Sequence, residues 1–241
     1  MSFTFIYRAL SYLLYLQLPP NTLRIRALSL LRDCTAPSTD SDTDISRLSS
    51  LTTIASNLVT LARQSWMTAC DQQASSSSST APACAAHRES AFTAFMMASA
   101  ALIYLHTTSY ASCIFACGVD ITKTLPSSFA SHVRDASQGI FTLLRDSLSL
   151  PLPYSPHSPF FSCSQVIAAH GSLLTVDKEG DSITWRRAAV ASNLELGEWE
   201  LKRQALRWPC AQHAVDEIQR LRCALGADVG GRGVRLMLGM D

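Results

Sequence analysis

ALIYLHTTSYASCIFACGV at Ala101–Val119, FASHVRDASQGIFTLLRDSLSL at Phe129–Leu150 and FFSCSQVIAAHGSLLTV at Phe160–Val176 decide the fold. Each segment carries apolar residues at helical spacing, and none alternates for long enough to read as a strand. The middle one has the clearest stripe: Phe129, Val133, Ala136, Ile140, Leu143, Leu144, Ser147 and Leu148 share one side. Arg134, Asp135 and Gln138 fall on the other side, so this helix is expected at a surface with one face buried. Ser127 or Ser128 can cap its start and Pro151 stops it. Burying such a stripe contributes about 1.5–3 kcal/mol per large side chain before chain entropy is set against it.

Outward from this centre the pattern stays helical. Gly118 is placed to end the first segment, and Asp120 opens a turn that reaches Pro126. Ser158-Pro159 reads as a cap followed by proline in the first helical position, burying Phe160 or Phe161, Val166, Ile167, Ala169, Leu173 and Leu174 beyond it. After the charged turn Asp177–Asp181 a helix is predicted over Ser182–Arg207, bent at Gly197, with Trp185 and Trp199 as its large apolar groups. The last helix, Pro209–Leu225, aligns Ala211, Val215, Ile218, Leu221 or Arg222, and Leu225, with Gly226 as its C-cap.

Toward the N-terminus, Phe3–Leu18 and Leu23–Leu31 read as helices broken at Pro19-Pro20, and Ile45–Cys70 returns to helical spacing. Thr35–Asp44 is a linker by composition, and Gln72–Pro82, with its run Ser75–Ser79, reads as a flexible insert. The expected organisation is an N-terminal helical arm over 1–70, a Ser-rich linker over 71–90, a helical body over 91–225 and a loose Gly-rich tail over 226–241. The fold class is all-α, an irregular multi-helix bundle.

Charged residues make up 16% of the 241, below the roughly 25% of an average globular chain. A formal net charge of +1 supplies no footprint for nucleic acid or an anionic membrane surface. The eight cysteines, at 34, 70, 84, 113, 117, 163, 210 and 223, contain no C-x-x-C pair. They read as free thiols of a reducing compartment, cytosol or nucleus. Two segments raise a membrane question. Phe3–Leu18 is apolar but ends in Leu18-Pro19-Pro20 without a small-residue cleavage site, which favours a short packed helix over a signal or anchor. Ser90–Val119 holds no charge and is long enough to span a bilayer, yet His106–Ser109 places four polar residues in a row inside it. A buried helix pair is the favoured reading, and a span is the alternative.

No motif carries chemistry by itself. Cys113 with Cys117, and Cys210 with His213 and Glu217, have helical spacing a metal would accept, but neither set has a second half. His170-Gly171-Ser172 sets a hydroxyl beside an imidazole without the G-x-S-x-G elbow, and adjacent helical residues do not face each other. Gly226–Gly233 lacks the Lys-Ser/Thr of a phosphate loop. His106 and Tyr110, one turn apart, pair in the core or line an apolar cavity against the helix that holds His170. These three are the candidate effector-site residues. No catalytic residue, metal or cofactor is expected.

Tyr104–Thr122 (YLHTTSYASCIFACGVDIT) resembles a recurrent segment of the regulatory region of fungal zinc-binuclear-cluster transcription factors. Leu105-His106, Tyr110-Ala111-Ser112 and Ile114-Phe115 hold the places of its leucine-histidine pair, its Tyr–Ala–Ser run and its apolar half-turn. Cys117-Gly118-Val119 stands where the family often has a His-Gly or His-Arg-Pro turn, which is a departure. His132–Leu144, Pro159–Leu174 and Trp208-Pro209-x-Ala211 are similar to later pieces of that region, in the same order. The likeness covers roughly residues 99–222, and its pieces are degenerate, so their order and spacing carry it.

The resemblance implies an all-helical regulatory bundle of the fungal-specific transcription factor type, acting in the nucleus and not as an enzyme. The family's DNA-binding module needs six closely spaced cysteines around two zincs, and that pattern is absent here, so no direct DNA contact is expected through it. A truncated or DNA-binding-deficient member would work through other transcription regulators or a small-molecule effector, as a monomer or a homodimer, and away from the membrane. The competing expectations are a membrane-associated helical protein and a helical enzyme whose site residues are scattered.

Overall fold

The computed structural model describes residues 20–35, 41–75, 81–107, 127–148, 160–175 and 183–229. Every regular element among them is an α-helix: α1 Pro20–Thr35, α2 Ser41–Ser75, α3 Ala81–Thr107, α4 Ser127–Leu148, α5 Phe160–Leu174, α6 Ile183–Ala205 and α7 Ala211–Val229. The all-α expectation holds. Phe3–Leu18, the Asp120–Pro126 turn and Thr108–Val119, including Tyr110, Cys113 and Cys117, lie outside the described residues. The chain divides into two compact units, Met1–Ala101 and Leu102–Asp241, and the division falls within α3.

In the first unit α1 packs on α2. Leu23, Ala27 and Leu30, spaced by four and three, are the buried stripe of α1. Ala55, Leu58, Leu61, Ala62, Trp66 and Ala69 bury one side of α2, and Ile54 is left outside. Both expected linkers are shorter than composition suggests. α2 already begins at Ser41 and continues to Ser75. Acidic residues are favoured in a helix's first turn by its dipole, and extending a formed helix costs far less than nucleating one. Polar composition alone therefore does not end a helix here. The start of α3 meets α2 through a 2.7 Å hydrogen bond between Ser65 Oγ and His87 Nε2 and through the Trp66 and Phe92 rings, 5.4 Å apart.

Helix α3 is buried without a break from Ser90 to Ile103. Phe92, Met96, Ala98, Ala101 and Ile103 are buried at positions spread around its circumference. Two of its threonine hydroxyls are satisfied within the helix: Thr93 Oγ1 donates to Glu89 O at 2.8 Å and Thr107 Oγ1 to Ile103 O at 2.8 Å. That is how a threonine sits in an apolar run without a desolvation penalty; Ser99 Oγ, also buried, makes no such bond. Ala85–Thr107 is long and apolar enough to cross a membrane, and 89% of an 18-residue window within it is buried.

The second unit is built around α5, which packs on α4, α6 and α7, while α6 lies along α7. The stripe of α4 is Val133, Ala136, Ile140, Leu143, Leu144 and Ser147 as expected, joined by fully buried Phe141. Because α5 has three neighbours, its polar residues are buried as well: Ser162, Ser164, Gln165, His170 and Ser172. Val166 and Ile167, expected inside, are only half-buried, and Ala168 takes the interior place. Gly171 marks the tightest approach. A Cβ there would lie 2.5 Å from Ser137 Oγ and 3.1 Å from both Ile103 Cγ2 and Val133 Cγ1. Only glycine allows the end of α3, α4 and α5 to close to that distance.

Three expectations for α6 and α7 need correction. α6 is one continuous helix through Gly197. The glycine serves packing instead, since a Cβ would stand 3.2 Å from Phe141 Cε1. Trp199 is 55% exposed, and Leu194 and Leu201 fill the core in its place; the Arg203 guanidinium lies over its ring at 5.5 Å. Finally, α7 does not stop at Gly226 but continues to Val229, where a glycine costs about 1 kcal/mol relative to alanine and the intrahelical bonds continue. The core stripe of α7 is Ala211, Val215, Ile218, Leu221 and Leu225, which assigns the inside position to Leu221 and not Arg222.

Candidate functional site

A cleft of about 420 Å³ opens in the second unit between α4, the end of α5 and the first half of α6. Its α4 wall is Arg134, Gln138, Thr142 and Arg145, spaced by four, four and three residues, so that one polar stripe runs along the helix opposite its apolar one. The α6 wall includes Arg186, Ala189, Val190 and Asn193, again three and four apart. Ser172 and Thr175 close the α5 end. The volume falls within the range of small-molecule sites.

The described part of the walls is largely polar. Among the described lining residues are three arginines and no Asp or Glu. Arg134 Nη2 donates to the Thr175 main-chain carbonyl at 3.4 Å. Arg145 Nη2 donates to Asn193 Oδ1 at 3.2 Å, tying α4 to α6. Thr175 Oγ1 donates to Ser172 O at 3.0 Å and holds the end of α5 in shape. Such a surface can hold and orient an anion; it presents no nucleophile beside a base.

Of the sequence-predicted residues, His106 and His170 lie elsewhere, and Tyr110 is outside the described residues. His106 stacks on His132, with ring centroids 5.0 Å apart and planes at 22°. Burial, and then the neighbouring charge of His132, push its pKa below 6.5. His170 is buried on α5 and meets α7, its Nε2 standing 2.8 Å from Glu217 Oε1. Burial pushes the His170 pKa down, Glu217 opposes that, and Arg220 adds to it; the net direction is down. Neutral His170 then donates Nε2–H to the carboxylate. Arg220 clamps Glu217 through its Nη2 at 2.7 Å and its Nε at 2.9 Å. This clamp, the burial that opposes it and the approach of His170 together hold the Glu217 carboxyl below its ordinary range.

His106 and His170 therefore have different partners, and neither lines the cleft. Ser172 does, so His170 and Ser172 point different ways, as their adjacency requires. The Cys210, His213 and Glu217 spacing is not brought together as a metal site: Cys210 and His213 are exposed, Glu217 is engaged by Arg220 and His170, and no metal-competent cluster occurs among the described residues.

The sequence places Arg134 and Gln138 on an outward helix face and singles out neither Arg145 nor Arg186. The signal that could have found the cleft is the stripe Arg134, Gln138, Thr142, Arg145, which is uninterrupted by a carboxylate although Asp135 and Asp146 are adjacent in sequence. Comparison with protein-family models, curated proteins and solved structures finds no match.

Proposed function

We propose that this chain is a non-enzymatic helical regulatory domain that responds to a small effector bound between α4, α5 and α6. Its context is the one that the resemblance of Tyr104–Thr122 and the later segments implies: a nuclear regulator of the fungal-specific transcription factor type, working through partner regulators. The observation that carries the reading is that one cleft takes its walls from three different helices. A ligand that touches all three favours the packing in which they are close, and a population shift between packings is a sufficient physical basis for signalling. This cleft is a different place from the apolar cavity expected around His106, Tyr110 and His170, of which Tyr110 lies outside the described residues.

The test is a reporter assay with the full chain fused to a heterologous DNA-binding domain. The fusion is expected to change reporter output, and Thr142→Trp, which fills the cleft from α4, is expected to alter that output by at least about threefold. An inert fusion, or a filled cleft with unchanged output, sinks the reading. Membrane association is a second reading, favoured by the length and apolarity of Ala85–Thr107. Retention of the protein in the pellet after carbonate extraction would favour it over the first.

A further inference from the structure

We infer that Cys163 and Cys210 are a dithiol pair that a hydroperoxide oxidises reversibly to an intramolecular disulfide, pinning the start of α5 to the start of α7. The inference goes beyond the regulatory reading and does not depend on it. Both cysteines are free and exposed, so an oxidant in solution reaches them.

The first observation is direction. α5 runs against α6: Ser162 Oγ donates to Gln204 Oε1 at 3.1 Å near the end of α6, and further along α5 a Cβ on Gly197 would lie 3.8 Å from Gln165 Oε1. α6 runs against α7, since Gln219 reaches Glu198 and Arg222 reaches Glu195. α5 and α7 therefore point the same way, and both begin beside the turn that follows Gln204.

The second observation is register. His170 Nε2 and Glu217 Oε1 meet at 2.8 Å, which fixes one point where the two parallel helices face each other. Seven residues make about two helical turns and return to the same face roughly 10 Å along the axis. Taken from His170 and from Glu217 toward the helix starts, that step lands on Cys163 and on Cys210. Cys210 lies one residue before α7, and the chain is already wound there: Ala211 N donates to Trp208 O at 2.9 Å and Gln212 N to Pro209 O at 3.0 Å. The two thiols thus stand opposite each other where the helix pair begins.

The third observation is electrostatic. Partial burial, and then the Cys210 thiol beside it, push the Cys163 pKa up, and only a near neighbour acts on a thiol in that way. Cys223, also exposed, stands thirteen residues along α7, roughly 20 Å from Cys210.

The chemistry balances with a hydroperoxide as oxidant. One thiolate attacks the peroxide: an S–O bond forms, the O–O bond breaks, and the leaving oxygen takes a proton and departs as water or an alcohol. The second thiolate attacks the sulfenic sulfur, forming S–S, breaking S–O and releasing water. Each sulfur gives up one electron, and the peroxide takes both. In a reducing compartment the pair stays open until peroxide rises, and a thiol reductant reopens it.

The full chain, reduced and then treated with hydrogen peroxide, tests this by tryptic mapping after alkylation. The expected product joins Asp146–Lys178, whose only cysteine is Cys163, to Trp208–Arg220, whose only cysteine is Cys210. Free thiols should fall by two of the eight and return with dithiothreitol. Cys163→Ser and Cys210→Ser should each remove the linked peptide, and Cys223→Ser should leave it. A cross-link that fits the native packing restricts the unfolded chain, so the oxidised form should melt roughly 5 °C or more above the reduced one. Equal linkage to other cysteines, a link only between two molecules, or no link at peroxide levels that oxidise Cys223 overturns the inference. A linked form that melts below the reduced one also overturns it, because the bond would then have formed only in an opened chain.

Discussion

The side of α6 that faces α7 and the side that lines the cleft are built differently. Glu195 and Glu198 face α7, where Arg222 Nη2 reaches Glu195 at 2.9 Å and Arg222 Nη1 meets Glu198. Gln219 adds a 2.9 Å bond to Glu198 from α7, and Lys202 closes the cluster from α6 itself at 2.7 Å. Nine residues separate Arg186 from Glu195, two and a half helical turns, so Arg186 is on the opposite side, in the cleft with Arg134 and Arg145. On the α7 side a buried carboxylate is surrounded by donors of both helices. On the cleft side, cationic groups stand along an opening. An ion cluster that supports a fold contains both signs, because a buried charge without its partner is strongly destabilising.

The largest expected effect comes from making the same substitution on each side. Arg222→Glu places a third carboxylate against Glu195 and buried Glu198, and should cost about 3 kcal/mol or more in urea unfolding. Arg186→Glu changes a half-buried position on the cleft wall, where a partly exposed charge contact is worth about 1 kcal/mol at most, and should cost less than Arg222→Glu. Similar losses for the two variants would erase the distinction between a structural and a binding face.

Next in size is the acid limb of the stability profile. Burial alone would raise the Glu198 pKa, but hydrogen bonds from Lys202, Gln219 and Arg222, with the Arg222 charge, hold it at about 2 against an ordinary 4.5. A carboxyl depressed on folding stabilises the protein fully above its unfolded value. That contribution is lost as pH falls from 4.5 toward 2. The unfolding free energy measured across this window should fall less steeply for Glu198→Gln than for the wild type. Parallel slopes would mean that the α7 cluster is solvated and not structural.

The same contrast explains what the sequence could disclose. α4 was readable because its inside is apolar and its outside polar; Val133, Ala136, Ile140, Leu143 and Leu144 repeat at the period of the helix. α6 was not, because Glu198, Glu200 and Gln204 on its buried side are polar. Glu200 accepts two bonds from Arg203 and one from Gln204, and Gln204 in turn accepts from Ser162 of α5 at 3.1 Å. Burial there is decided by partners on other helices, which hydropathy does not register. Trp199 was misplaced for the same reason: size and apolarity favoured the inside, yet Leu194, Gly197 and Leu201 already fill it. The candidate cavity around His106 and His170 was inferred from apolar helix faces. Gly171 brings Ile103 at the end of α3 and Val133 and Ser137 of α4 close to α5, and the described opening lies on the polar side of α4. Arginines at three-and-four spacing are indistinguishable from a solvated face until a second helix is laid opposite them.

The smallest expected effect tests how far the α7 cluster reaches toward α5. Two influences compete at His170: burial lowers its pKa, and Glu217 at 2.8 Å raises it. With the net shift downward, folded His170 resists protonation that the unfolded chain accepts. The stability it contributes is complete above 6.5 and declines as pH falls below that value, until the folded imidazole also titrates. An NMR titration should therefore place the His170 midpoint below 6.5, and Glu217→Gln, by removing the opposing charge, should move it lower still. A midpoint at or above 6.5 would make the carboxylate the stronger influence and His170⁺–Glu217⁻ a true ion pair. The balanced cluster would then continue from α6 through α7 into the centre of the unit, and the cleft would be the one face of α6 left outside it.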